Sequence, residues 1–128
     1  HDFMPPSIHA GGLRYHGDSP LVCQLYNEKL IEAIAVPQIA TFEAGVQFAR
    51  AEGIIPAPES CHAIRAVIDE ALRCKASGEK KTLFFNLSGH GHFDMASYDK
   101  YFAGELVDYE YPEAAVKEAL KRLPKIAA

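Results

Sequence analysis

The chain has 128 residues, 48% of them hydrophobic, which is enough for one packed domain or one piece of a larger one. A formal charge of -4 and the lack of any Lys/Arg run argue against a nucleic-acid or anionic-membrane surface, since neither has an electrostatic footprint here. Three cysteines, Cys23, Cys61 and Cys74, form no CxxC pair and argue against a disulfide framework or a zinc knuckle, which suits a reduced, cytoplasmic setting. No apolar stretch approaches the ~20 residues of a membrane span, and no basic-then-apolar leader opens the sequence. His1-Asp2-Phe3 in place of an initiator methionine reads as an incomplete chain.

Residues 1–17 carry two prolines and three glycines without a sustained period, and read as ordered loop. Ser19 and Pro20 signal a short helix, Ser19 as N-cap and Pro20 in the first turn, with Leu21, Leu25 and Tyr26 on one face and an end near Lys29. Leu30 to Val36 is apolar and partly β-branched, with Pro37 behind it, and predicts a strand. Thr41 is the expected cap of the next helix, with Phe42, Val46 and Ala49 on one face and Gly53 closing it. The strongest amphipathic pattern runs from Ser60 to Ser77, with Ile64, Val67, Ile68, Ala71 and Leu72 on one side. Thr82 to Leu87 is a continuous apolar run that predicts a buried strand. Asp94 is the expected cap of a helix to about Ala103, stopped by Gly104. From Pro112 to Leu123 an amphipathic helix closes the chain. The order strand, helix, helix, strand predicts an α/β unit, a layered parallel sheet flanked by helices. Its parts would be a loop over 1–17, a core over 18–110 and a terminal helix over 111–128.

The chain is organised around TLFFNLSGHGHFD, residues 82–94. A strand that runs into a glycine turn commonly delivers a site at its carboxyl end. The Ser88 hydroxyl can donate to a ring nitrogen, or accept from a protonated one, and Gly89 and Gly91 remove side chains that would block a flat ligand. Equally, such a serine caps its own turn. His90, His92 and Asp94 have metal-ligand spacing and resemble the HxHxDH signature of metallo-β-lactamase-type hydrolases, with Met95 where the final histidine belongs. Two polar histidines lining a pocket are the alternative. Glu59, at the mouth of a helix, either satisfies the helix dipole or faces the same pocket as Ser88. His9, Arg14 and His16 form a looser set, in which Arg14 suits a carboxylate or phosphate, or an ordinary ion pair. Cys61 and Cys74 read as thiols without chemistry.

Three blocks, HDFMPPSIHAGGLRYHGDSP, FARAEGIIPAPESCHAI and LFFNLSGHGHFDM, closely resemble the C-terminal part of tryptophan synthase β chains, in particular the second subgroup common in archaea and bacteria. The resemblance implies the fold type II of pyridoxal phosphate enzymes, with this region as part of the larger of two α/β domains. It implies that Ser88 meets the pyridine nitrogen of pyridoxal phosphate, that Glu59 lies near the ring, and that Gly89 and Gly91 form the turn beneath it. His90 and His92 stand where the commoner subgroup has arginine and aspartate. The implied reaction joins L-serine and indole to give L-tryptophan and water. The family's Schiff-base lysine in an SHK-type motif and its GGGSN phosphate loop do not occur in this sequence, so the chain alone is expected to be inactive. A missing N-terminal segment of the same enzyme, a homodimer and a tryptophan synthase α chain are the implied partners. A non-catalytic ligand-binding module, or one half of a split enzyme, is the competing reading.

Overall fold

The computed structural model describes residues 8–14, 17–109 and 113–121. A short 3-10 turn at Gly11–Leu13 precedes five helices: α1 Pro20–Asn27, α2 Gln38–Glu52, α3 Pro58–Ser77, α4 Met95–Phe102 and α5 Glu113–Leu120. The opening residues His1 to Ser7 lie outside the described set, as do His16, Pro112 and Leu123.

The expected parallel sheet is absent: among the described residues no strand forms, and an isolated antiparallel bridge joins Pro56 to His90. Both runs read as strands, 30–36 and 82–87, take no regular structure. A strand exists only by pairing its backbone with another strand, and neither run finds one. Phe84 is 89% exposed, and Leu30 and Ile34 are largely exposed as well. Phe85 reaches back to α2, its ring edge-on to Phe48 at 6.0 Å.

The helices close where glycine permits it. Gly53, Gly78 and Gly104 have φ of 71°, 74° and 70°, the left-handed region that ends a helix without a Cβ penalty. Helix starts differ from expectation. α2 begins at Gln38 behind Pro37, so Thr41 lies inside the first turn and its hydroxyl donates to the Gln38 carbonyl at 2.7 Å. α3 begins at Pro58, whose missing N–H costs nothing in a first turn, and Ser60 is within that turn rather than before it. Ser19 and Asp94 do occupy the N-cap positions of α1 and α4, without side-chain cap bonds.

The core lies where α2, α3 and α4 meet, around Phe42, Cys61, Tyr98 and Leu106. The Phe42 ring meets Tyr98 edge-on at 5.1 Å and stacks on Tyr101 at 5.8 Å. Gly45 makes this approach possible, because a Cβ there would lie 2.5 Å from Cys61 Sγ and 3.0 Å from the Tyr98 hydroxyl. The segment after α4 returns to the start of α2. There the Gln38 amide donates to the Val107 carbonyl, and the Asp108 carboxylate accepts the Ile39 N–H at 3.0 Å, replacing the missing side-chain cap. α1, by contrast, has no buried residue.

Candidate functional site

The mouth of α3 and the glycine turn after residue 87 are joined backbone to backbone. The Ala57 N–H donates to the Gly89 carbonyl at 2.9 Å, and the Gly91 N–H to the Ile55 carbonyl at 2.8 Å. Two blocks about thirty residues apart in sequence thereby become one surface. Gly91 is required by this docking: a Cβ would sit 2.5 Å from the Pro56 carbonyl oxygen, a backbone atom that cannot step aside. A Cβ at Gly89 would press on Ala57 at 3.2 Å. The 55–57 loop thus packs against the bare Cα positions of both glycines.

Tyr98 locks the junction from below. Its hydroxyl donates to the Pro56 carbonyl at 2.6 Å and lies 3.3 Å from Cys61 Sγ. Since the single phenolic proton goes to Pro56, the Cys61 thiol is the donor to Tyr98. Burial pushes the pKa of both groups above their ordinary ranges, and the Glu59 and Asp94 carboxylates add to the effect on Cys61. Both stay neutral at physiological pH, as an interior pair must.

Ser88 is exposed, and its Oγ lies 3.2 Å from the Oγ of Ser60, which is only 2% exposed. Glu59, next to Ser60 in the first turn of α3, accepts the Gly12 N–H at 2.8 Å. Its carboxylate therefore ties the 3-10 turn to the helix mouth, and the side chain that reaches Ser88 is Ser60. His90 is exposed, with its ring 4.6 Å from that of His92 and 5.5 Å from Phe93. The His92 N–H donates to His90 Nδ1 at 3.3 Å. Among the described residues no group of three or more His, Cys, Asp and Glu side chains is arranged to hold a metal ion.

His9 of the looser set packs near the same region, its Nδ1 3.3 Å from Ser97 Oγ, whereas Arg14 is exposed. Cys61 and Cys74 are buried and Cys23 exposed, all three reduced. An open groove elsewhere, between α2 and α4, is lined by Val46, Gln47, Arg50 and Tyr101 among others, and contains none of the site candidates. Ser60 and Tyr98 are absent from the site candidates that the sequence offers. The signal for both was the pairing of two short loops, which no local pattern encodes.

No protein family profile matches the chain. It is 67% identical over 108 residues to tryptophan synthase beta chain 2 of Aquifex aeolicus, covering 84% of this chain and 25% of that protein. To tryptophan synthase beta chain 2 of Methanosarcina acetivorans it is 66% identical over 107 residues, 84% of this chain and 24% of the relative. To that of Pyrococcus furiosus it is 46% identical over 124 residues, 97% of this chain and 28% of the relative. The chain matches a C-terminal part of tryptophan synthase β chain 2. It spans about a quarter of the length of these curated relatives. No helix among the described residues of this tryptophan synthase β-like chain is long and apolar enough to cross a membrane.

Proposed function

We propose that the chain supplies the ring-nitrogen side of a pyridoxal phosphate site in a tryptophan synthase β-like enzyme that converts L-serine and indole to L-tryptophan and water. The observation that carries this reading is the exposed Ser88 hydroxyl, fixed on a turn that is docked on the mouth of α3. The cofactor, when bound, supplies an electron sink for replacement at the β carbon of serine. The residues present fit its ring: Ser88 offers a neutral hydroxyl open to one more partner, and a neutral donor leaves the ring nitrogen unprotonated. Glu59 stands beside this hydroxyl's neighbour with its carboxylate held by Gly12. Gly89 and Gly91 keep the turn seated, and His90 sets the polarity of its exposed side.

The chain alone forms no tryptophan, because none of its eight lysines stands in an SHK-type motif and no GGGSN loop is present. An N-terminal segment of the same enzyme brings both, together with the sites where serine and indole meet. Exposed apolar side chains on α1 and in residues 30–34, such as Leu21, Leu30 and Ile34, support a chain that packs against more polypeptide. A homodimer, a tryptophan synthase α chain as possible partner and a cytoplasmic location complete the reading.

The test is a visible-absorbance titration with pyridoxal phosphate, followed by borohydride, on this chain with and without a separately produced N-terminal segment. The expected result is no borohydride-fixed colour on the chain alone, with tryptophan formation on addition of the segment. Ser88→Ala should then lower cofactor affinity by about tenfold, the worth of one hydrogen bond to the ring. Fixation to a lysine of this chain, or no rescue by the segment, would overturn the proposal.

A further inference from the structure

Ser60 and Ser88 share one hydrogen bond, and their surroundings decide which of them donates. Ser60 is 2% exposed, and its Oγ has Ser88 Oγ, 3.2 Å away, as its hydrogen-bond partner. A serine within a helix commonly donates to the carbonyl four residues back. For Ser60 that carbonyl is Pro56, which receives the Tyr98 hydroxyl at 2.6 Å, whereas the Ser60 hydroxyl bonds Ser88 instead. Ser88 is exposed, and water or a ligand can satisfy both its proton and its lone pairs. A buried donor without an acceptor costs more than an exposed hydroxyl that turns to solvent.

We infer that Ser60 is a positioning residue: it donates its proton to Ser88 Oγ, and so leaves the Ser88 proton for an outside acceptor. The pair thus keeps the Ser88 proton available at the surface, which favours the unprotonated form of a ring nitrogen as its partner. A hydroxyl that itself accepts a hydrogen bond is also a better donor, because each bond polarises the next. This inference rests on the reading of Ser88 as the partner of the pyridine nitrogen.

The test is made on the full gene product, with pyridoxal phosphate and its 1-deaza analogue, in which a C–H replaces the ring nitrogen. Equilibrium dialysis gives the preference between them for the unaltered protein, Ser60→Ala, Ser60→Thr and Ser88→Ala, with circular dichroism as the check on folding. The unaltered protein should prefer the nitrogen-containing ring by about tenfold, consistent with a hydrogen bond to a fixed donor. Ser60→Ala should lose about fivefold of that preference, Ser60→Thr should keep it, and Ser88→Ala should abolish it. With 15N in the ring, the nitrogen resonance should move downfield in Ser60→Ala, toward the value of a nitrogen without a hydrogen bond. An unchanged preference and resonance in Ser60→Ala would overturn the role of Ser60 and leave that of Ser88 standing. No preference in the unaltered protein, with Ser88→Ala indistinguishable from it, would overturn both.

Discussion

Phe42 and Phe84 are the same side chain in two apolar segments, yet one is 1% and the other 89% exposed. Around Phe42 three helices converge, and Tyr98 and Tyr101 meet its ring from two directions. Around Phe84 the backbone takes no regular structure and, among the described residues, has no ladder partner. Hydrophobicity states only that a segment gains by leaving water. Whether it leaves depends on a surface of matching shape: Phe85 finds one at Phe48, and Phe84 stays in water. The same contrast separates α3, pinned by the loops at its mouth, from α1, which buries nothing.

The largest effect should come from testing that contrast directly. Phe42→Ala removes a ring from a closed core and should cost about 3–5 kcal/mol in chemical denaturation, whereas Phe84→Ala should change stability by about 0.5 kcal/mol or less. Equal losses would show that 82–87 is packed in solution as α2 is. The next effect is at the docked turn. Gly91→Ala places a methyl group against the Pro56 carbonyl and should cost about 1–3 kcal/mol by overpacking, with earlier hydrogen exchange at the Ala57 and Gly91 amides. A neutral result would mean that the turn is not seated on the 55–57 loop.

The smallest effect belongs to the far end of α3, where Arg73 and Lys81 surround Glu70. Their bonds, that of Arg73 first, hold the Glu70 carboxyl down at about 2, below its ordinary 4.5. A depressed folded value stabilises the protein above the unfolded value, so this contribution should be complete above pH 4.5 and lost as pH falls toward about 2. These groups are partly exposed, so the contribution should be small and should shrink in high salt. Denaturant midpoints between pH 6 and 2 should show a shallower acid slope in Glu70→Gln, and identical slopes would remove the network from the account.

Much of the helical content was legible without coordinates. The glycines at 53, 78 and 104 mark helix ends because their left-handed backbone is a local property, and the period of Ile64, Val67, Ile68 and Leu72 marks α3 for the same reason. Helix starts were less legible at α2 and α3, since Thr41 and Ser60 look like caps, but the N-caps are Pro37 and Ala57, four and three residues earlier. The parallel sheet failed because an apolar run carries no information about its partner.

The sequence by itself determined the resemblance to tryptophan synthase β chains and the helix ends at Gly53, Gly78 and Gly104, all properties of short contiguous motifs. Only the tertiary structure decided that the turn docks on residues 55–57 and that Gly91 serves this contact. It also decided that Glu59 holds Gly12 while Ser60 meets Ser88, a division of roles between adjacent residues. Neighbouring side chains on a helix differ by about 100° in direction, so which of them faces a distant loop depends on how that loop packs.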